Sequence, residues 1–161
     1  MAGRSFSTLA TLFEPLPPAG LMDFLENFVS KGGRLIWSGP PPRLDMGGAA
    51  ILERWQKLTG VEHLDFAQEG ISAPGEIIEF EGALQSVPKQ TILTAFLVDR
   101  VYPVTPQKEA GVLARVDGKI AGVLHKTAQG GSVVYLGFRP RDDQAASLGY
   151  ETRTWFEVLN A

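Results

Sequence analysis

The sequence contains no cysteine. This absence excludes disulfide bonds, zinc–thiolate sites and a cysteine nucleophile, and it leaves the cellular compartment open, with the cytoplasm preferred. No apolar run approaches the roughly 20 residues that span a bilayer, so we expect a soluble protein without a membrane partner. Basic residues are also in deficit, since 15 Lys and Arg face 18 Asp and Glu. The net charge of −3 argues against a nucleic-acid partner, because such proteins usually carry a basic face.

The composition is that of one globular domain. The chain has 161 residues, of which 44% are hydrophobic and 20% charged, enough to bury a sizeable core. We find no internal repeat, low-complexity tract or interdomain linker. Residues 1–161 are therefore interpreted as a single domain.

The N-terminal part predicts a strand–helix–strand unit. Residues Ser7–Phe13 form a β-rich run that ends before a group of prolines. The next apolar residues recur on one helix face, and Gly32-Gly33 suit a left-handed helix end. Arg34–Ser38 then predicts a short buried strand. The handedness of such units favours a parallel pairing of the two strands. The helix-face residues are Leu21, Phe24, Leu25, Phe28 and Val29.

The rest of the chain predicts a second helix, an antiparallel meander and a final helix. Asp117-Gly118 is a strong hairpin signal, so the strands around it are expected to pair antiparallel. The sequence therefore predicts an α/β fold with a mixed sheet, parallel in its N-terminal part and antiparallel towards its C-terminus. The predicted helices are Ile51–Leu58 and Tyr150–Asn160, and the predicted strands are Ile77–Phe80, Thr91–Val98, Gly111–Val116, Ile120–His125 and Ser132–Phe138.

The order of these elements resembles the trimerisation domain of bacterial β-galactosidases. The helix–GG–strand run LMDFLENFVSKGGRLIWSG and the second helix ILERWQKLTGV resemble its first half. The run EAGVLARVDGKIAGVLHKTAQGGSVVYLGFRPRDD resembles its closing meander, and TRTWFEVLNA resembles its last helix. The resemblance implies a flavodoxin-like, class I glutamine amidotransferase-like layered fold. It also implies an accessory role beside a catalytic TIM barrel, which holds the catalytic carboxylates.

A TIM barrel typically takes about 250 residues, so none fits in this chain. We therefore expect a fragment or relative of a larger glycoside hydrolase, whose partners are further copies of itself or a neighbouring catalytic domain.

In active amidotransferase-like enzymes the strand equivalent to Arg34–Ser38 leads into a tight elbow that carries a cysteine. Here the elbow, residues Ser38–Pro42, reads Ser-Gly-Pro-Pro-Pro. It has no thiol, and prolines cannot donate the backbone N–H groups of an oxyanion hole. We therefore expect no catalytic residue, no cofactor, no metal and no activity of the isolated chain.

Ser38 is the one hydroxyl near the elbow, and a nucleophilic serine needs a general base. The chain has two histidines, His63 and His125, of which His125 is expected to face away from Val123. The alternative is a strand-end serine that bonds to the backbone, which we favour.

The loop after the last strand carries Arg139, Arg141, Asp142 and Asp143. Guanidinium groups there suit sugar hydroxyls or carboxylates. Arg43 and Asp45 would join them in one polar pocket if the two strand ends are neighbours. The favoured alternative is a solvated ion-pair loop or an interface contact.

These candidate binding or interface residues leave a second function open, a stand-alone hydrolase or sugar-binding module that uses both polar loops. Among the aromatic residues, Trp37, Trp55 and Trp155 fall on apolar patterns that predict core positions. Tyr102 is predicted to be an exposed aromatic residue.

Overall fold

The computed structural model describes residues 5–140 and 151–160, apart from the side chains of residues 65 and 151–153. Within these residues the helices are α1 (Leu21–Ser30), α2 (Leu52–Thr59) and α3 (Glu151–Asn160). The strands are β1 (Thr8–Leu12), β2 (Arg34–Ser38), β3 (Val61–His63), β4 (Ile77–Phe80), β5 (Gln90–Thr91), β6 (Val104–Pro106), β7 (Gly111–Val116), β8 (Lys119–Lys126) and β9 (Ser132–Leu136).

A seven-stranded mixed sheet runs in the order β1-β2-β9-β8-β7-β4-β5. Strands β1, β2 and β9 are parallel, whereas β8, β7, β4 and β5 continue the sheet by antiparallel pairing. The mixed α/β prediction is confirmed. Strands β3 and β6 form a separate antiparallel pair that the sequence did not predict.

The two faces of the sheet carry different cores because side chains alternate along each strand. Leu35 and Trp37 of β2 pack on the face that α1 and α2 cover, whereas Ile36 packs on the opposite face with Val158 of α3. On the first face, Trp55 of α2 lies between two aromatic rings. Its ring centroid is 6.0 Å from that of Trp37 and 5.2 Å from that of Tyr135, both in edge-on contacts.

Local signals set several boundaries as predicted. Helix α1 ends in a Schellman motif, in which Gly32 N–H donates to Val29 O at 3.0 Å and Gly33 N–H donates to Phe28 O at 3.0 Å. Asp117 and Gly118 both have positive φ, 47° and 70°, and form the two-residue turn between β7 and β8.

Two predictions about the middle of the chain are wrong. Of the predicted strand Thr91–Val98 only the first residue belongs to a strand, and Leu97–Asp99 forms a 3₁₀ turn. The segment after Thr91 has no partner strand in the described residues, and much of its apolar surface faces solvent. Tyr102 is not an exposed aromatic residue, since it is only 3% exposed.

Candidate functional site

The parallel strands bring three chain segments to one edge of the sheet. β1, β2 and β9 all end there, and the residues that follow them line a cleft of about 250 Å³. In α/β sheets this carboxyl edge is the usual place for ligands. The cleft is lined by Leu12, Phe13, Ser38, Gly39, Val98, Arg139 and Trp155.

The polar groups of the elbow are already used within the fold. Ser38 is 4% exposed, and its Oγ donates to the carbonyl oxygen of Phe138 at 3.0 Å. The Gly39 N–H donates to Leu136 O at 2.8 Å. The next residues, Pro40–Pro42, carry no N–H. The elbow therefore offers no free backbone donor for an oxyanion.

The elbow is also shaped so that only glycine fits at position 39. Gly39 has φ of +109°, and a Cβ there would lie 3.0 Å from the Cα of Phe13. Beyond it, the Pro40 carbonyl accepts a hydrogen bond from Trp37 Nε1 at 3.0 Å. The elbow is thus anchored to the core on both sides.

Arg43 bonds to a residue 25 positions further along the chain, whereas Asp45 bonds within its own loop. Arg43 Nη1 donates to Gln68 Oε1, and Arg43 is exposed. The Asp45 carboxylate accepts the N–H groups of Gly47 at 2.8 Å and Ala49 at 2.9 Å. Neither residue is among those that line the cleft.

Arg139 is the charged residue that lines the cleft, and it is exposed. Arg141, Asp142 and Asp143 lie outside the described residues. The shared polar pocket of the two loops therefore stays a prediction.

The two histidines lie away from Ser38. His125 pairs with Val133 near the start of β9, whereas Ser38 pairs with Leu136 at the end of that strand. The His125 side chain lines a separate cleft of about 600 Å³ together with residues of α1 and α2. Val123 packs on this same face, so the prediction that His125 faces away from Val123 is wrong. His63 lies in the small sheet, where its backbone N–H donates to Gln56 Oε1 at 2.8 Å.

Two buried tyrosines connect the segment around residue 102 to the end of β9. Tyr102 N–H donates to Gly137 O at 2.6 Å, and the Tyr135 hydroxyl donates to Tyr102 O at 2.8 Å. Burial raises the pKa of Tyr135 well above its ordinary value, and the neighbouring Tyr102 adds to the shift. Burial also raises the pKa of Tyr102, against the opposing effect of Arg100. Both hydroxyls therefore stay protonated at neutral pH.

Metal-binding clusters and membrane-spanning helices are absent from the described residues. The part of the chain that the structure describes holds no group of three or more His, Asp or Glu side chains able to bind a metal ion. No helix within it is both long and apolar enough to cross a bilayer.

Comparisons with known proteins identify the fold. Gan42B, a GH42 beta-galactosidase from G. stearothermophilus, matches 96% of this chain with a TM-score of 0.70 at 15% identity. Cytoplasmic Protein STM1381 from Salmonella typhimurium LT2 matches 96% with a TM-score of 0.65 at 13% identity. A glutamine amidotransferase from Thermotoga maritima matches 96% with a TM-score of 0.50 at 12% identity.

The chain shares the α/β fold of these proteins. It spans only 21% of the length of Gan42B, against 71% of STM1381 and 63% of the amidotransferase. No protein-family model matches the sequence, and no curated protein matches it. The predicted likeness to β-galactosidase and amidotransferase structures is confirmed at the level of the fold.

Several residues that line the cleft of this amidotransferase-like fold were missed from the sequence. Leu12 ends β1 and Phe13 follows it, and both reach the cleft for the same reason as Ser38 and Arg139, because parallel strands end at one edge. The sequence could therefore have indicated both residues, because the parallel pairing of the first two strands was predicted. Trp155 was predicted as core and is half-buried, packing against the core while it lines the cleft.

Proposed function

We propose that the chain is a non-catalytic accessory domain that supports the catalytic domain of a carbohydrate-active hydrolase. The observation that carries this proposal is the chemistry of the elbow. Ser38 and Gly39 direct their donors to Phe138 and Leu136, and prolines follow them. The chain thus has an amidotransferase-like fold whose elbow carries no nucleophile.

An exposed apolar surface favours a supporting role. Leu93, Phe96, Leu97 and Val98 are 52%, 71%, 56% and 36% exposed, and we call them the 93–98 surface. Val98 also lines the cleft, so this surface continues onto the carboxyl edge of the sheet. Contiguous exposed apolar residues are typical of interaction sites.

The match with Gan42B supports the same role. Nearly the whole chain corresponds to about a fifth of that enzyme, so the remainder of Gan42B has no counterpart here. An exo-beta-1,4-mannosidase, Op5Man5, gives a similar partial match, with 23% of its length covered at a TM-score of 0.55. In both proteins a domain of this fold occurs within a larger glycoside hydrolase. We infer a neighbouring catalytic domain as the partner of the 93–98 surface.

The first test is of turnover. The isolated chain is incubated with nitrophenyl galactoside, nitrophenyl mannoside and glutamine, next to a Ser38→Ala variant. We expect rates equal to the buffer blank for both proteins. Turnover that disappears in Ser38→Ala would contradict the proposal.

The second test is of the 93–98 surface in the product of the complete reading frame. Phe96→Asp is expected to loosen the contact with the catalytic domain, seen as separate unfolding transitions in calorimetry. The control is Phe66→Asp, since Phe66 is 72% exposed and lies outside this surface. Equal effects of both changes, or a complete reading frame without a hydrolase domain, would overturn this role.

A sugar-binding module is the second candidate, favoured by one feature of the cleft. Trp155 and Phe13 line it together with Arg139, and aromatic rings beside a guanidinium suit a sugar carboxylate or hydroxyl group. Titration with galactose and galacturonate is expected to change the tryptophan fluorescence, to which Trp155 contributes beside Trp37 and Trp55, and Arg139→Met is expected to abolish the change. An unchanged signal at saturating sugar would exclude this candidate.

A further inference from the structure

Strand β1 leaves one edge of the large sheet open. The Arg34 N–H donates to Ser7 O at 2.9 Å, and Phe13 N–H donates to Ser38 O at 2.8 Å. These two bonds fix the parallel ladder, in which alternate residues of β1 turn their backbone groups towards β2. The N–H and C=O groups of the residues between them, Thr8, Ala10 and Leu12, therefore point away from the sheet.

The part of the chain that the structure describes does not cover this edge. The sheet ends at β1, Ala10 is exposed, and Leu12 is 63% exposed. Natural proteins usually protect an open edge with a charged residue, a proline or a bulge. The run Ser7–Phe13 contains neither a charged residue nor a proline, and its pairing with β2 is regular throughout. The edge is therefore competent to pair with another strand.

We propose that β1 pairs antiparallel with β1 of a second copy of this chain, about a two-fold axis at Ala10. Ala10 then lies opposite the partner's Ala10, and Thr8 lies opposite the partner's Leu12. Each of the three outward-facing residues then forms a hydrogen-bonded pair with the partner residue opposite it, which gives about six hydrogen bonds across the interface. The arrangement is isologous and closed, so it does not propagate into a fibre.

The side chains of the strand fit this register with a second copy. Thr8, Ala10 and Leu12 lie on the face of the sheet that carries α3, where Ala10 leaves room at the axis. Leu12 packs on the partner's Thr8, so that both copies cover their exposed leucine. Phe13, with φ of +52°, ends the extended segment, and residues 8–12 carry no charge, so no like charges meet along the paired strands. Because β1 is complementary to itself in this register, a second copy is favoured over an unrelated strand.

This interface uses the β1 edge and not the 93–98 surface. Leu12 of β1 and Val98 of that surface line the same cleft, so cross-linking at Ala10, which reports on β1 alone, separates a failure of this interface from a failure of the proposed function.

Cysteine cross-linking tests the register, because the native chain has no cysteine. In Ala10→Cys the two thiols belong to directly opposed residues, whose Cα atoms are about 5.5 Å apart and within disulfide reach. In Thr8→Cys the two thiols are offset by four residues, about 14 Å, and do not react. We expect Ala10→Cys to form a covalent dimer under mild oxidation and Thr8→Cys to remain uncross-linked. A mixture of Thr8→Cys with Leu12→Cys is expected to cross-link.

A charge substitution tests the surface itself by light scattering and sedimentation equilibrium. The native chain is expected to be a dimer, and Leu12→Lys is expected to lose it. The control Leu44→Lys should keep it, since Leu44 is 47% exposed and lies outside β1. A native chain that stays monomeric at millimolar concentration would overturn the proposal. So would a dimer that survives Leu12→Lys, or one in which Thr8→Cys alone cross-links as well as Ala10→Cys.

Discussion

At the scale of single residues, Gly60 packs directly against the side chain of His125. Gly60 ends α2 with φ of +70°, its N–H donates to Gln56 O, and its carbonyl accepts Gln107 N–H at 2.8 Å. A Cβ at this position would lie 2.5 Å from the Cγ and Nδ1 atoms of His125. Both the backbone conformation and the imidazole ring therefore disfavour any larger residue.

Gly60→Ala should lower the free energy of unfolding by two separable amounts. The left-handed conformation costs a residue with a Cβ about 1–2 kcal/mol. Overlap with the imidazole adds about 1–3 kcal/mol, the usual cost of overpacking. Urea denaturation of the native protein and the variant measures the sum.

Two controls separate these amounts. Gly48 has φ of +83°, and a Cβ added there would meet no atom within 4 Å, so Gly48→Ala should cost only the backbone part. In a His125→Ala background the cost of Gly60→Ala should fall but stay above that of Gly48→Ala, because the Cβ of residue 125 would still lie 2.8 Å from the added Cβ. An unchanged cost in that background would show that the ring contact does not matter.

At the scale of elements, local signals predicted most of the fold. Apolar spacing and terminal glycines give α1 and α2, and Asp117-Gly118 gives the β7–β8 hairpin. The strand prediction for residues 91–98 fails because a short apolar run has the same composition whether it is buried in a strand or exposed on a surface. Only the absence of a neighbouring strand distinguishes the two, and that is a property of the tertiary structure.

The guanidinium group of Arg34 attaches helix α3 to the sheet, and no sequence pattern indicates this contact. Arg34 Nη2 donates to Val158 O in the last turn of α3 at 2.9 Å. A positive charge at this end of a helix is favourable. The burial of the guanidinium, which lowers the pKa of Arg34, works against it.

We expect Arg34→Met to release the last turn of α3 and to cost about 1–2 kcal/mol in free energy of unfolding, the usual range for a partly buried charge at a helix end. Hydrogen exchange should show faster exchange of the α3 amides while those of α1 keep their protection. Lys31→Met is the control, because Lys31 is an exposed cation near the start of the same strand. If the α3 amides are equally protected in both variants, the Arg34 contact does not hold the helix.

At the scale of the whole molecule, strand order decides which residues meet. Ser38 and Arg139 are about a hundred positions apart in the sequence. They line one cleft because β2, which ends at Ser38, and β9, which ends shortly before Arg139, are parallel neighbours in the sheet. The convergence of Arg43 and Asp45 with the loop after β9 stays a prediction; in the described residues Arg43 bonds to Gln68, and Asp45 bonds within its own loop. Loop direction after a strand depends on local hydrogen bonds, which spacing along the chain does not encode.

The buried Tyr135 makes the stability of the whole molecule sensitive to alkaline pH. Tyr135 is 0% exposed and its hydroxyl donates to Tyr102 O at 2.8 Å, and burial raises its pKa well above the ordinary value. In the unfolded chain the hydroxyl loses its proton near pH 10, about the ordinary value, whereas the folded chain retains it. Above that pH the folded state binds more protons, so the free energy of unfolding falls by up to about 1.4 kcal/mol per pH unit.

Replacing Tyr135 with phenylalanine removes this pH dependence together with the hydrogen bond. Urea denaturation from about pH 8 to about pH 11 should show Tyr135→Phe less stable than the native protein by about 1 kcal/mol at the lower end, because a hydrogen bond is lost. The difference should shrink and then reverse above about pH 10, since phenylalanine has no proton to release. Parallel curves for the two proteins over this range would contradict the buried, protonated hydroxyl.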